Sequence, residues 1–113
     1  MFNTQDVTVD PRAQADFTNL LASQDRDTRV QTAMEWGLLN NLSSGSQADV
    51  DFYRIPGTKL FRTPRQLSVG WNVVLFFDAT QIPRGWKISV LHAVRVMGQP
   101  QLDAEQKIAE TRL

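Results

Sequence analysis

The first third of the chain has the apolar spacing of two amphipathic helices. From about residue 11 to residue 23, apolar side chains recur every three or four positions, which is the period of a helix. Asp10 followed by Pro11 is typical of a helix start, because aspartate can cap the first N–H groups and proline lacks one. After a polar interruption, a second helical stripe consists of Val30, Ala33, Met34, Gly37, Leu38 and Leu42. We therefore predict an antiparallel helical hairpin.

The period changes to that of strands after residue 45. Two short β-prone runs, 50–55 and 58–63, flank Pro56-Gly57, a pair suited to the centre of a type II turn, so they predict a hairpin. Residues 69–77 are apolar on both faces, as expected of a central strand that is covered on both sides. Residues 78–85 are expected to form a connection.

The clearest strand is predicted over residues 86–97, where apolar and polar residues alternate. One face of this strand would consist of Trp86, Ile88, Val90, His92, Val94 and Val96. Gly98-Gln99-Pro100 interrupts the pattern, and Asp103 can cap a short helix after it.

These elements together predict an α+β fold in a single domain over residues 1–113. An N-terminal arm at 1–9 precedes a helical part at 10–42, which forms the hairpin. A β part at 48–97 follows, with a mostly antiparallel sheet of about four strands. The chain ends in a short helix or tail at 98–113. Val7 and Val9 alternate within the arm, so it can be a short strand or an extended segment.

The composition is that of an ordinary globular protein and excludes several kinds of site. Of the 113 residues, 42% are hydrophobic and 21% are charged. The chain has no cysteine, which excludes disulfides, thiolate catalysis and cysteine-ligated zinc. The longest purely apolar run, residues 73–77, is too short to span a membrane, so no membrane partner is predicted. We expect synthesis in the cytoplasm, with the virion as a further location.

Charge is balanced overall but divided along the chain. Twelve basic residues match twelve acidic ones, yet residues 1–51 contain three basic and eight acidic side chains. Residues 52–95 contain seven basic side chains, one acidic side chain and seven of the ten aromatic rings. Such asymmetry indicates a polar partner or self-association.

The basic aromatic segment supplies the candidate interaction residues. These are Arg54, Lys59, Arg62, Arg65, Trp71, Arg84, Trp86 and Lys87. Together with Tyr53 and Phe61, they could form a groove for single-stranded nucleic acid, in which cations meet phosphates and rings stack on bases. A simpler interpretation places the rings in the core and the charges on the outer face. Nucleic-acid binding is therefore an alternative rather than the favoured function.

Enzymatic chemistry has little support in the sequence. His92 is the only histidine, and its position in an apolar strand predicts a core or core-edge histidine that is bonded to a neighbour. Glu35 beside Trp36 suggests an acid with a raised pKa, but neighbouring helical residues point about 100° apart, so an exposed carboxylate is expected. The glycines are too widely spaced for a phosphate loop. We predict no catalytic residues, no cofactor and no metal.

The favoured function is therefore that of a non-enzymatic structural or assembly protein. Its partners would be further copies of the chain, other protein subunits or both, with the acidic helical part meeting the basic sheet head to tail. Phe2, Val7 and Val9 would form a docking arm, because the arm is expected to have little core to enter in a monomer. A component of a virion or phage particle, such as a capsid, cement or tail-associated protein, fits this description. A small inhibitor or adaptor is a second alternative.

Overall fold

The computed structural model describes residues 6–113, so the Phe2 part of the predicted docking arm lies outside the described residues. It confirms the α+β class, with helices before and after a four-stranded mixed sheet. The strands are β1 (Val7–Val9), β2 (Phe61–Thr63), β3 (Asn72–Ile82) and β4 (Gly85–Val96). The helices are α1 (Gln14–Leu21), which follows a 3-10 turn at Pro11–Ala13, α2 (Arg26–Leu42), α3 (Gln47–Asp51) and α4 (Gln99–Glu110).

The long β3–β4 hairpin forms the centre of the sheet. The strand order is β1-β4-β3-β2, with β1 parallel to β4 and the other pairs antiparallel. Strand β3 continues to Ile82 and pairs there with Gly85, so the turn consists only of Pro83 and Arg84. The predicted connection at 78–85 is therefore wrong, because most of it is strand.

Helices cover both faces of the sheet, which gives the protein two apolar clusters. Helices α1 and α2 lie over the first face, and α4 lies over the second. The larger cluster consists of Val7, Val9, Ala13, Phe17, Leu39, Leu42, Val50, Phe61, Val73, Leu75, Phe77, Trp86, Ile88, Val90 and Ala93. The smaller one consists of Leu60, Val74, Phe76, Leu91, Val96, Leu102 and Ala109. This arrangement explains why the middle of β3 is apolar at every position.

A β-bulge in β4 changes which residues share a face. Phe77 pairs with Val90 but Phe76 pairs with His92, so Leu91 is an extra residue. Ile88 and Val90 face α1 and α2, whereas His92 stacks on Phe76 on the side of α4, with ring centroids 6.1 Å apart. The prediction that His92 shares a face with Ile88 and Val90 is wrong, because the alternation is interrupted at the bulge.

The predicted hairpin around Pro56-Gly57 is correct only at its turn. Gly57 has a φ of 77°, which favours glycine, and Ile55 N–H donates to Leu60 C=O at 2.9 Å. The first arm is not a strand, because Ser46 and Asp49 form a capping box that starts α3. The predicted β part at 48–97 therefore begins with a helix.

Both ends of the described chain belong to the fold. Val7 is fully buried and Val9 nearly so, because β1 pairs with β4 and packs on the first face. These two residues are core residues, which corrects their assignment to a docking arm. At the other end, α4 starts after Gly98, with Pro100 in its first turn, so the predicted cap at Asp103 is wrong.

Candidate interaction surface on helix α2

The outer face of helix α2 is apolar in the middle of the helix. Met34 is 66% exposed and Val30 is 43% exposed, and the exposed Ala33 and Gly37 lie beside them. These residues belong to the stripe that predicted this helix. The stripe identifies a helix correctly, but in the structure most of it points away from the core.

Polar side chains occupy the inner face of α2 because they bond to neighbouring groups. Thr28 and Thr32 are buried, and Thr32 Oγ1 donates to Thr28 C=O at 2.7 Å. Gln31 Oε1 accepts a hydrogen bond of 3.1 Å from Val73 N–H at the start of β3. Glu35 accepts a hydrogen bond from the hydroxyl of Thr63 in β2. The bonds of Gln31 and Glu35 to the sheet, together with the burial of Leu39 and Leu42, fix the rotation of α2. The exposed apolar residues lie on the opposite side of the helix, at Val30, Ala33, Met34 and Gly37.

The apolar surface continues from α2 onto the segment after α3. Phe52 is 58% exposed, and grooves of about 440 and 350 Å³ lie between this segment and the half-buried Leu38. We define the α2 face as Val30, Ala33, Met34, Gly37, Leu38 and Phe52. An apolar area that is continuous over two elements is typical of a protein contact site.

The two ends of α2 differ in charge. Arg26, Arg29 and the acidic Asp27 belong to its first part, which Asp25 caps, and no basic residue lies in its last turn. Asp49 and Asp51 of α3 follow its C-terminal end, and hydrogen bonds with Ser46 lower the pKa of Asp49. The α2 face therefore lies between an end at which basic and acidic side chains balance and an end that is followed by acidic ones.

Glu35 is a half-buried acid at the edge of the α2 face. Burial raises the pKa of its carboxyl group, and the hydrogen bond from Thr63 opposes part of this effect. The prediction of an exposed carboxylate is wrong, because Glu35 points towards β2 rather than into solvent.

Three of the predicted basic residues lie together beside β2. Arg54, Arg62 and Arg65 line one small pocket. Arg54 pairs with Asp51 at 3.3 Å and lies over the Phe61 ring, 4.5 Å from its centroid. Arg65 lies 5.0 Å from the centroid of the Phe52 ring.

Arg62 is held by its own loop. Its Nε donates to Pro64 C=O at 3.2 Å, and burial lowers the pKa of its guanidinium group. Arg62 thus uses two of its five N–H groups within the loop, and Arg54 uses one in its pair with Asp51.

The other predicted interaction residues are dispersed. Arg84 pairs with Asp6 at 2.9 Å near the β3–β4 turn, and Lys87 is exposed on β4. Trp86 is buried, and its Nε1 donates to Gly45 C=O at 3.1 Å.

The remaining two do not extend a common groove. Trp71 is half-buried under Arg95, whose guanidinium carbon lies 4.2 Å from the ring centroid, and Lys59 is exposed in the turn before β2. Phe61 is buried as well, so the structure does not align these rings and cations along one groove.

His92 is a core-edge histidine with polar neighbours, which confirms its predicted environment. It is 6% exposed, and its Nε2 lies 2.8 Å from Glu105 Oε2. Arg112 Nη1 lies 3.4 Å from its Nδ1. The sequence did not indicate these partners, because they come from α4 and the residues after it, far from β4 along the chain.

The geometry of the surface is the main indication of function in this protein. Among residues 6–113, no cluster of histidine and acidic side chains could hold a metal, and no helix is long and apolar enough to cross a membrane. Comparison with known proteins finds no matching family model, no matching curated protein and no matching solved structure.

Proposed function

We propose that the protein is a non-enzymatic assembly subunit whose copies associate through the α2 face. The observation that carries this proposal is the orientation of α2, which exposes Met34 and Val30 while burying Thr28 and Thr32. Full burial of an apolar side chain of this size contributes roughly 1.5–3 kcal/mol relative to leaving it in water. A second copy of the same face would remove these side chains from water.

The shape and charge of α2 favour a two-fold contact between antiparallel helices. The apolar part of the helix is centred on Ala33 and Met34, so two copies related by a two-fold axis would place these positions side by side. Ala33 and Gly37 have little or no side chain and permit close approach. Arg26, the first residue of α2, would then face the C-terminal carbonyl groups of the second α2 and the acidic Asp49 near them. This contact replaces the head-to-tail arrangement that the charge pattern predicts.

Sedimentation velocity over a range of protein concentrations tests the proposal directly. The original protein should shift from monomer to dimer as concentration rises. Met34→Glu should remain monomeric, because each dimer would bury two carboxylates in an apolar contact. Met97→Glu is the matched control, since Met97 is 63% exposed, close to the value for Met34, but lies outside the α2 face.

Each outcome has a defined meaning. A monomer at all concentrations for the original protein would contradict self-association. A dimer that Met97→Glu disrupts and Met34→Glu does not would place the contact on another surface. Circular dichroism of both variants must match that of the original protein, so that a folding defect is not taken for a loss of association.

The absence of cysteine permits a second test of the contact geometry. Ala33→Cys introduces one thiol close to the proposed two-fold axis, where two Cα atoms can approach within disulfide range. Under mild oxidation it should give a covalent dimer much faster than Thr80→Cys, which places the thiol at an exposed position on β3. Equal rates for the two variants would argue against the antiparallel α2 contact.

The narrower and alternative functions stay predictions. A virion or phage particle is one setting for such a subunit, and recovery of the protein in purified particles would test it. Binding of labelled single-stranded nucleic acid at low salt would favour the alternative in which Arg54, Arg62 and Arg65 meet phosphates. A stable one-to-one complex with an unlike protein would favour an inhibitor or adaptor.

A further inference from the structure

A second surface, independent of the α2 face, lies along the edge of β4 that faces away from β3. Most of the backbone groups on this edge have partners within the protein. Trp86 N–H donates to Ser43 C=O at 2.8 Å, and Ile88 N–H donates to Asp6 C=O at 2.7 Å. Val90 C=O accepts from Asp10 N–H at 2.8 Å, after which the chain turns away into α1.

Side chains cover two further parts of the same edge. Arg112 Nη1 donates to Leu91 C=O at 2.9 Å. Gln101 bonds at two points, because its Nε2 donates to Arg95 C=O at 3.1 Å and its Oε1 accepts from Met97 N–H at 2.8 Å. These contacts occupy the edge on either side of a short interval around Ala93.

The interval itself has backbone groups without partners. Residues 92, 94 and 96 direct their N–H and C=O groups towards β3, so the groups of Ala93 and the N–H of Arg95 point away from it. Within residues 6–113, no hydrogen bond reaches these three outward groups. Ala93 is only 2% exposed, so its groups lie at the floor of a depression rather than on an open surface. Buried backbone groups without partners are rare in proteins.

A groove of about 420 Å³ lies over this interval. Asp16, Asn19 and Ser23 form the wall on the side of α1, and Glu105 contributes on the side of α4. Arg95 also lines the groove, but its guanidinium lies over the Trp71 ring. The groove therefore combines an unpaired strand edge with the exposed carboxylate of Asp16 on one side and, on the other, Glu105, whose Oε2 lies 2.8 Å from His92 Nε2.

We propose that this groove binds an extended peptide that adds to the edge of β4 at Ala93 and carries a lysine or arginine side chain. The backbone of the peptide supplies the carbonyl and N–H groups that Ala93 and Arg95 lack. Its basic side chain pairs with Asp16, which is exposed at the rim. The peptide lies on the same edge of β4 as β1, beyond residues 88–90, with which β1 pairs.

Fluorescence anisotropy with a defined probe tests this proposal. The probe is a fluorescein-labelled peptide, Gly-Thr-Lys-Val-Lys-Thr-Gly, titrated with protein up to about 1 mM, the weak end of specific recognition. The protein carries Met34→Glu, so that the result does not depend on association through the α2 face. A probe with glutamate in place of both lysines should bind at least roughly tenfold more weakly, because it meets carboxylates instead of pairing with them.

Two N-methylated probes separate strand addition from charge attraction. Alternate N–H groups of an added strand point towards the edge and away from it. Methylating one alternate set should weaken binding by roughly tenfold or more, because backbone hydrogen bonds are lost, and methylating the other set should not. Equal binding of both methylated probes would overturn strand addition.

Protein variants and amide exchange locate the peptide. Asp16→Lys should weaken binding about tenfold, whereas Asp27→Lys, which also changes an exposed acid in the first turn of a helix, should not. Addition of the probe should slow hydrogen exchange at the N–H groups of Ala93 and Arg95. No binding of the lysine probe, equal effects of the two variants or unchanged exchange at both positions would each overturn the proposal.

Discussion

Replacing Gly85 by alanine should strongly destabilise the protein, because two independent features of this position exclude a side chain. The φ of Gly85 is 139°, a conformation that costs other residues roughly 1–3 kcal/mol. A Cβ there would lie 2.0 Å from the carbonyl oxygen of Ser43. That oxygen accepts the hydrogen bond from Trp86 N–H, so moving it away also weakens a bond worth about 1 kcal/mol.

The expected loss is about 3–7 kcal/mol once overpacking of roughly 1–3 kcal/mol is included. This is a large part of the 5–15 kcal/mol that is typical for a domain. Urea denaturation monitored by circular dichroism measures this loss in the monomeric Met34→Glu protein, with Gly37→Ala as the matched control. Gly37 lies inside α2 with nothing within 4 Å of the added Cβ, so the same chemical change should stabilise the protein by about 0.5–1 kcal/mol. Losses of similar size in both variants would refute the assigned roles of backbone conformation and the Ser43 contact.

Three further predictions concern the buried polar groups and the core. Burial raises the pKa of Glu35 in the folded protein, so its contribution to stability is complete below the ordinary carboxyl pKa and is lost as pH rises through the raised value. Glu35→Gln should therefore raise the denaturation midpoint at pH 7 and flatten its dependence on pH; an unchanged profile would argue against a desolvated carboxylate. Trp86→Phe removes the 3.1 Å bond to Gly45 C=O and should lower the free energy of unfolding in urea by about 1–3 kcal/mol. An unchanged free energy of unfolding would contradict a stabilising role for this bond. Phe77→Ala removes a buried ring stacked 5.4 Å from Phe61 and should cost about 3–5 kcal/mol, whereas the fully exposed Val69→Ala should change the midpoint little.

The periodicity of the sequence predicts most helices and strands but not which way each one faces. Helix α2 and the two long strands were identified from local spacing, and the fold class followed from their order. The facing of α2 depends on groups far away along the chain: Leu39 and Leu42 pack into the larger apolar cluster, and Val73 and Thr63 supply bonding partners for Gln31 and Glu35. The bulge at Leu91 likewise depends on pairing with β3. Neither feature has a local sequence signal.

The α2 face, apart from Phe52, belongs to the apolar stripe of the sequence, and the period of that stripe predicts a side that faces the core. An apolar stripe normally faces the core, because burial of apolar area is the main driving force of folding. The same helix also carries threonine, glutamine and glutamate at helical spacing on its opposite side, and these residues can bond to a sheet. A helix with two such faces has two plausible orientations, and sequence periodicity alone does not choose between them.

The orientation of α2 links the stability of the monomer to its proposed association. Turning the helix inward would bury Met34 and Val30, but it would remove the hydrogen bonds that Gln31 and Glu35 make with the sheet. The observed orientation retains those bonds, leaves Glu35 desolvated and leaves the apolar residues in water. A second α2 face would remove that apolar surface from water without breaking any of the internal bonds. Association therefore adds apolar burial that the folded monomer cannot obtain by repacking its own helix.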